Sequence, residues 1–127
     1  MKKLIVLALL LILLPACGQA EKKQEEVYMN ISAREAKEIM DTTEGYIILD
    51  VRTQEEYDES HIPNAILIPD TEIAEKAEEI LTDKDQMLLV YCRSGRRSKL
   101  AAETLVELGY TNIREFGGII DWPYEVE

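Results

Sequence analysis

Residues 87–105 read MLLVYCRSGRRSKLAAETL, and the change of period inside this stretch decides the architecture. Residues 87–91 are apolar without alternation, as expected of a strand covered on both faces. From Ser98 onward Leu100, Ala101, Thr104, Leu105 and Leu108 recur at helical spacing, and Gly109 stands where helices commonly close. Between strand and helix the chain must turn sharply through CRSGRR, and Gly95 supplies backbone freedom that other residues lack.

The same alternation continues on both sides of this unit. Residues 28–31 are β-prone, and Ser32 with Glu35 forms a capping box opening a helix over residues 33–41. Residues 46–51 make a second doubly buried strand, after which Thr53 to Glu56 repeats the capping pattern and opens a short helix toward Ser60. Residues 65–68 form a strand ended by Pro69. Thr71 is expected to cap a helix whose Ile73, Ala74, Ala77, Ile80 and Leu81 face inward. Residues 113–116 make the last strand, and Gly117-Gly118 then turns the chain toward Trp122. Strands alternating with helices imply an α/β fold: a largely parallel, five-stranded sheet with helices on both faces. Ligands in such folds gather at the carboxyl ends of strands, and Cys92 stands at one of them.

The chain has 127 residues and a net charge of −11, yet it sets Arg93, Arg96 and Arg97 directly after Cys92. So acidic a balance argues against nucleic-acid binding and against electrostatic attachment to a membrane. A cationic cluster beside a thiol therefore asks for a local chemical reason. A tight loop at a helix N-terminus turns several backbone N–H groups inward and makes a nest for an anion. Such amides, with nearby guanidinium groups, lower a cysteine pKa from ~8.5 to roughly 3.5–7.5. Cys92 is accordingly expected to rest as a thiolate. The competing reading is an inert buried thiol beside a solvated arginine patch.

Lys2 and Lys3 precede an unbroken apolar run over residues 4–14, which is shorter than the ~20 residues a membrane-spanning helix needs. Residues 1–16 read as an export signal. Leu14-Pro15-Ala16-Cys17-Gly18 resembles the cleavage box of a bacterial lipoprotein, in which Cys17 receives the lipid and becomes the new N-terminus. Residues 17–27 then form a solvated tether, and residues 28–127 the folded domain. The protein is expected to be exported and lipid-anchored to the bacterial cell envelope, with membrane attachment through that lipid alone. The alternative is a plain secretory signal. With Cys17 lipidated and outside the fold, Cys92 is left as a free thiol rather than half of a disulfide.

Cys92-Arg93-Ser94-Gly95-Arg96-Arg97-Ser98 closely resembles the active loop of the single-domain rhodaneses, thiosulfate sulfurtransferases that carry sulfur as a cysteine persulfide. Separate motifs join it: Asp50-Val51-Arg52 at a strand end, Tyr57 to Ala65 with its His61-Ile62-Pro63, and Gly117-Gly118-Ile119 with Trp122. The resemblance spans about residues 30–122, with Ser60 and Asn64 where the family usually has glycine. It implies a rhodanese fold, with Cys92 as nucleophile and Arg93, Ser94, Gly95, Arg96 and Arg97 as the anion- and substrate-binding loop. Small partners are implied: a sulfur donor such as thiosulfate, and cyanide or a thiol as acceptor.

Arg97 is the candidate for orienting the donor's sulfonate, while Arg93 and Arg96 support the field or, for Arg93, pair with a carboxylate. Asp50 and Arg52 frame the pocket or form a structural ion pair. His61 is expected to order its own turn rather than act as a base, since transfer to a thiolate needs none. One histidine and one available thiol are too few for a metal site, and the chemistry calls for no cofactor. Phosphatases and arsenate reductases of the cysteine type place an arginine after five intervening residues, a position held here by Ser98. Two further readings stay open: a binding module that keeps the fold without catalysis, and a persulfide carrier.

Overall fold

The apolar runs become strands that hydrophobic burial forces into the middle of a sheet. The computed structural model describes residues 27–127. The export signal, Cys17 and the tether up to residue 26 lie outside the described residues. Element order is β1 (Met29–Asn30), α1 (Ala33–Thr42), β2 (Tyr46–Asp50), α2 (Gln54–Glu59), β3 (Ile66–Leu67), α3 (Ile73–Ile80), β4 (Met87–Cys92), α4 (Arg96–Glu107) and β5 (Ile113–Gly118). The strands lie in the order β1-β5-β4-β2-β3, and every neighbouring pair is parallel.

Strand β4 is central, so both of its faces are covered. Leu88, Val90 and Cys92 pack with Ile73, Ala77 and Leu81 around α3 and with Ala101 and Leu105 of α4. Leu89 and Tyr91 point the other way, toward Ala36 and Met40 of α1, Tyr57 of α2, and Phe116 and Trp122. Leu88 and Leu89 are both wholly buried, each contributing ~1.5–3 kcal/mol of burial energy. This two-sided cover is why the sequence shows no polar alternation there.

Several local expectations shift. Helix α4 opens at Arg96 rather than Ser98, because Gly95 takes up the N-cap position with φ 101°. Arg96 and Arg97 thus belong to the first helical turn, not to the loop. Thr71 caps nothing: Asp70–Glu72 forms a turn of 3-10 helix that runs into α3 without any side-chain cap. Ser32 accepts the Glu35 amide, whereas the full reciprocal capping box forms only at Thr53 and Glu56.

Ala74, Ile80 and Leu100, expected inward, are exposed. The buried stripe of α3 is the narrower i, i+4, i+8 row of Ile73, Ala77 and Leu81, and Leu100 lies one position off the Ala101–Leu105 row. Strand β5 continues through Gly117-Gly118 because a bulge keeps the pairing alive: Val90 faces Glu115, but Cys92 faces Gly118. Bulges of this kind bend a strand and re-aim its side chains, here at the strand end that carries the cysteine.

Candidate active site

With β4 ending at Cys92 and α4 beginning at Arg96, only Arg93, Ser94 and Gly95 connect them. The left-handed backbone of Gly95 folds this connection back on itself, and its N–H donates to Cys92 Sγ at 3.0 Å. The thiol is 1% exposed, directly at the amino end of α4, where the helix dipole favours negative charge. Of the amides in this loop, that of Gly95 is the one hydrogen-bonded to sulfur.

The arginines separate into two groups. Arg97 reaches across to α2 and holds Glu56 through two parallel hydrogen bonds, Nη1 to Oε1 at 2.6 Å and Nη2 to Oε2 at 2.9 Å. That guanidinium pushes the Glu56 carboxyl from its usual 4.5 to about 2. That bond to Glu56 is the main cause that raises the Arg97 pKa above its ordinary value. Arg93 and Arg96 are exposed and form no ion pair among the described residues.

Two groups beneath the loop carry roles that the sequence does not assign to them. Ser98 is wholly buried in the first turn of α4, its Oγ 3.3 Å from Cys92 Sγ. The same oxygen donates to Glu115 Oε1 at 2.7 Å. Glu115, also wholly buried, further accepts the Gly117 amide at 2.8 Å and the side-chain amide of Asn30. A signal for it existed: strand alternation puts Glu115 on the same face as Ile113, which is the face turned to the core.

A family model described as a rhodanese-like domain matches residues 32–123. The chain belongs to the rhodanese family. It is 41% identical over 73 residues to the thiosulfate sulfurtransferase PspE of Escherichia coli, covering 58% of this chain and 70% of that protein. It is 35% identical over 111 residues to the putative sulfur carrier protein YrkF of Bacillus subtilis, across 87% of this chain and 59% of that one. The chain spans 27% to 59% of the length of the longer curated relatives it matches. A solved rhodanese with anions from E. coli superposes with a TM-score of 0.61 at 36% identity, covering 65% of this chain and 96% of that one.

Around the rhodanese loop the remaining motif residues build the frame. Asp50 and Arg52 form a buried ion pair, with Nη2 to Oδ2 at 2.7 Å and Nε to Oδ1 at 3.0 Å. Tyr91 donates its hydroxyl to Asp50 at 2.6 Å and accepts the Ile62 amide at 3.1 Å. Burial, then the Asp50 carboxylate, push that phenol far up from its ordinary value. Arg52 also donates to the Ser60 carbonyl at 2.7 Å, which ties the histidine turn to the sheet.

In that turn the His61 ring stacks flat on Tyr57 at 3.8 Å between centroids, and its Nδ1 bonds the Tyr57 carbonyl at 2.9 Å. Its Nε2 lies 3.4 Å from Glu127. Ser60 adopts an extended backbone with φ −168°, which any residue can take, and Asn64 supplies the left-handed turn with φ 67°. Neither departure from glycine therefore disturbs the frame.

Of the paired glycines of the rhodanese ending, Gly117 takes a left-handed backbone with φ 89° and Gly118 serves close approach. A Cβ at Gly118 would stand 1.9 Å from the Arg93 carbonyl oxygen and 2.5 Å from the Ser94 nitrogen. Ile120 donates its amide to that same carbonyl at 3.2 Å. The back of the cysteine loop thus rests directly on the end of β5. Among the described residues no group of three or more His, Cys, Asp or Glu side chains is arranged to hold a metal ion.

Proposed function

We propose that this rhodanese domain is a sulfurtransferase that moves sulfane sulfur from an anionic donor such as thiosulfate to cyanide or a thiol through a persulfide on Cys92. The observation that carries this reading is the Gly95 N–H aimed at Cys92 Sγ at 3.0 Å, at the amino end of a helix and the carboxyl end of the central strand. A preorganised donor there stabilises the sulfur anion without reorganisation when the reaction begins. The exposed side chains of Arg93 and Arg96 offer charge to the donor. Two relatives support the reading: PspE is named a thiosulfate sulfurtransferase, and the related E. coli rhodanese was solved with anions.

In the first half-reaction the Cys92 thiolate forms a bond to the outer sulfur of thiosulfate. The donor's S–S bond breaks, and its electron pair leaves on sulfite. In the second, cyanide bonds to the outer sulfur of the persulfide, releasing thiocyanate and returning the electron pair to Cys92. Purified protein is expected to make thiocyanate from thiosulfate and cyanide, and Cys92→Ser to make none. Intact-mass measurement after thiosulfate should show one added sulfur, confined to Cys92. Failure of any sulfane-sulfur donor to load the protein would overturn the proposal.

YrkF, named a putative sulfur carrier protein, supports a second reading in which loading is efficient but the acceptor is another protein. It predicts the mass gain with little thiocyanate turnover. We further propose that Cys17 is the lipid attachment site and that the domain works on the outer side of a bacterial membrane. Metabolic labelling with a fatty acid should mark the wild type and not Cys17→Ala.

A further inference from the structure

Two wholly buried carboxylates stand near the loop, and they are balanced differently. Asp50 is answered by Arg52. Glu115 makes no ion pair among the described residues, although it is 0% exposed. A buried unpaired charge is costly unless hydrogen bonds or a proton satisfy it. Asn30 from β1 and the Gly117 amide satisfy part of its capacity. The remaining contact is Ser98, at 2.7 Å.

The hydroxyl of Ser98 carries one proton but stands between two acceptors, Glu115 Oε1 at 2.7 Å and Cys92 Sγ at 3.3 Å, with the Gly117 carbonyl more distant at 3.4 Å. Were carboxylate and thiolate both ionised, one of these contacts would set lone pair against lone pair. Two like charges would then share a water-excluded site, which disfavours the doubly ionised state. One further proton resolves the arrangement in either of two ways. The thiol donates to Oγ while the hydroxyl donates to Glu115, or a protonated Glu115 donates to Oγ while the hydroxyl donates to the thiolate. The two forms interconvert when two protons each move across one hydrogen bond, and the charge of the cluster does not change.

We propose that Cys92, Ser98 and Glu115 share a single proton, so that Glu115 takes up the thiol proton through Ser98 whenever Cys92 ionises. The inference rests on the sulfurtransferase reading for its purpose, and the geometry alone supplies its chemistry. While the thiolate attacks, the neutral Glu115 spares the incoming anionic donor a second negative charge. The proton stays in the cluster as sulfur arrives and leaves. Other groups face the pair from each packed element. Tyr28, before β1, is pushed up by burial and by the charges of Glu103 and Glu115, and so stays neutral. Arg97 of α4 stands one residue before Ser98 and is paired with Glu56, and its pKa is raised first by that pair.

The rate of Cys92 alkylation by iodoacetamide, followed against pH in the full chain, tests the sharing. Wild type is expected to show two steps, as interacting groups do when coupled by more than ~1 pH unit. Glu115→Gln should show one step, acid of the upper wild-type step, reacting roughly tenfold faster between the two wild-type steps, where Glu115 otherwise competes with Cys92 as the anion. Loosened packing would open the buried thiol to the reagent at every pH alike, whereas loss of the carboxylate speeds the reaction between the two steps only. Ser98→Thr should keep the two steps, while Ser98→Ala should slow alkylation at neutral pH. A single-step wild-type profile, or one that Glu115→Gln reproduces, overturns the proposal. If Glu115→Gln does not fold, a Ser98→Ala profile equal to wild type does so instead. Alkylation needs no sulfur donor, so a wild type without sulfur transfer would sink the sulfurtransferase reading and leave this measurement legible.

Discussion

Arg97 grips Glu56 with both nitrogens of its fork, at 2.6 and 2.9 Å, and so joins the first turn of α4 to the first turn of α2. Such bidentate pairs fix direction as well as charge. Arg97, the candidate from the sequence for orienting a donor's sulfonate, is thereby held by a carboxylate, and Glu56 sets where it points.

Glu56→Gln should therefore loosen two elements at once, at a cost of about 1 kcal/mol for a partly exposed pair. The Glu56 carboxyl titrates at about 2 in the fold against the usual 4.5. A depressed carboxylate stabilises the fold above its unfolded value and loses that contribution as pH falls through the folded one. Urea unfolding of wild type and variant should show a gap that is constant above pH 4.5 and closes toward pH 2. A gap indifferent to pH would show that the pair does not stabilise through charge.

Gly118→Ala places a methyl group 1.9 Å from the Arg93 carbonyl oxygen. Both neighbours are backbone, so the cysteine loop must move. Overpacking of this sort costs roughly 1–3 kcal/mol, and a displacement of ~1 Å at reacting atoms costs on the order of 10²-fold in rate. Persulfide loading by mass spectrometry and thermal unfolding would report the two effects separately. Normal loading would contradict the close contact.

Arg52→Ala leaves Asp50 buried, with Tyr91 as its side-chain donor. Breaking one side of a buried pair typically costs ~3–5 kcal/mol. Tyr91→Phe removes the hydroxyl shared by Asp50 and the Ile62 amide, with an expected loss of about 1–3 kcal/mol for the donor left unmet. Denaturant titration should rank Arg52→Ala as the more damaging change, and the reverse order would contradict the ion pair's role.

His61→Asn should slow sulfur transfer by less than about threefold, within the range of a positioning change rather than the loss of a base. Both ring nitrogens have partners in the turn, the Tyr57 carbonyl and Glu127. Thiocyanate production against pH should keep its shape in this variant. A profile that loses a limb would mean that His61 exchanges protons in the reaction.

The order of strands and helices, the cysteine at a strand end and the glycine that turns the loop are all legible in the sequence, because each rests on interactions between near neighbours. Apolar periodicity, capping hydroxyls and a glycine's backbone range act within a few residues. Where such signals compete, reading fails by small steps: Thr71 loses its cap to a 3-10 turn, and Gly95 takes the helix start from Ser98.

The site's supporting chemistry is different in kind. Ser98 meets Glu115 across 17 residues of chain and Arg97 meets Glu56 across 41, so neither contact has a local signature. The parallel register and the bulge in β5 bring the buried Glu115 under the loop, and the packing of α2 brings its carboxylate to α4. The sequence by itself determined the elements and which cysteine they would present. Only the tertiary structure decided which charges lie beside that sulfur, because folding closes those distances and removes the water that would otherwise screen them.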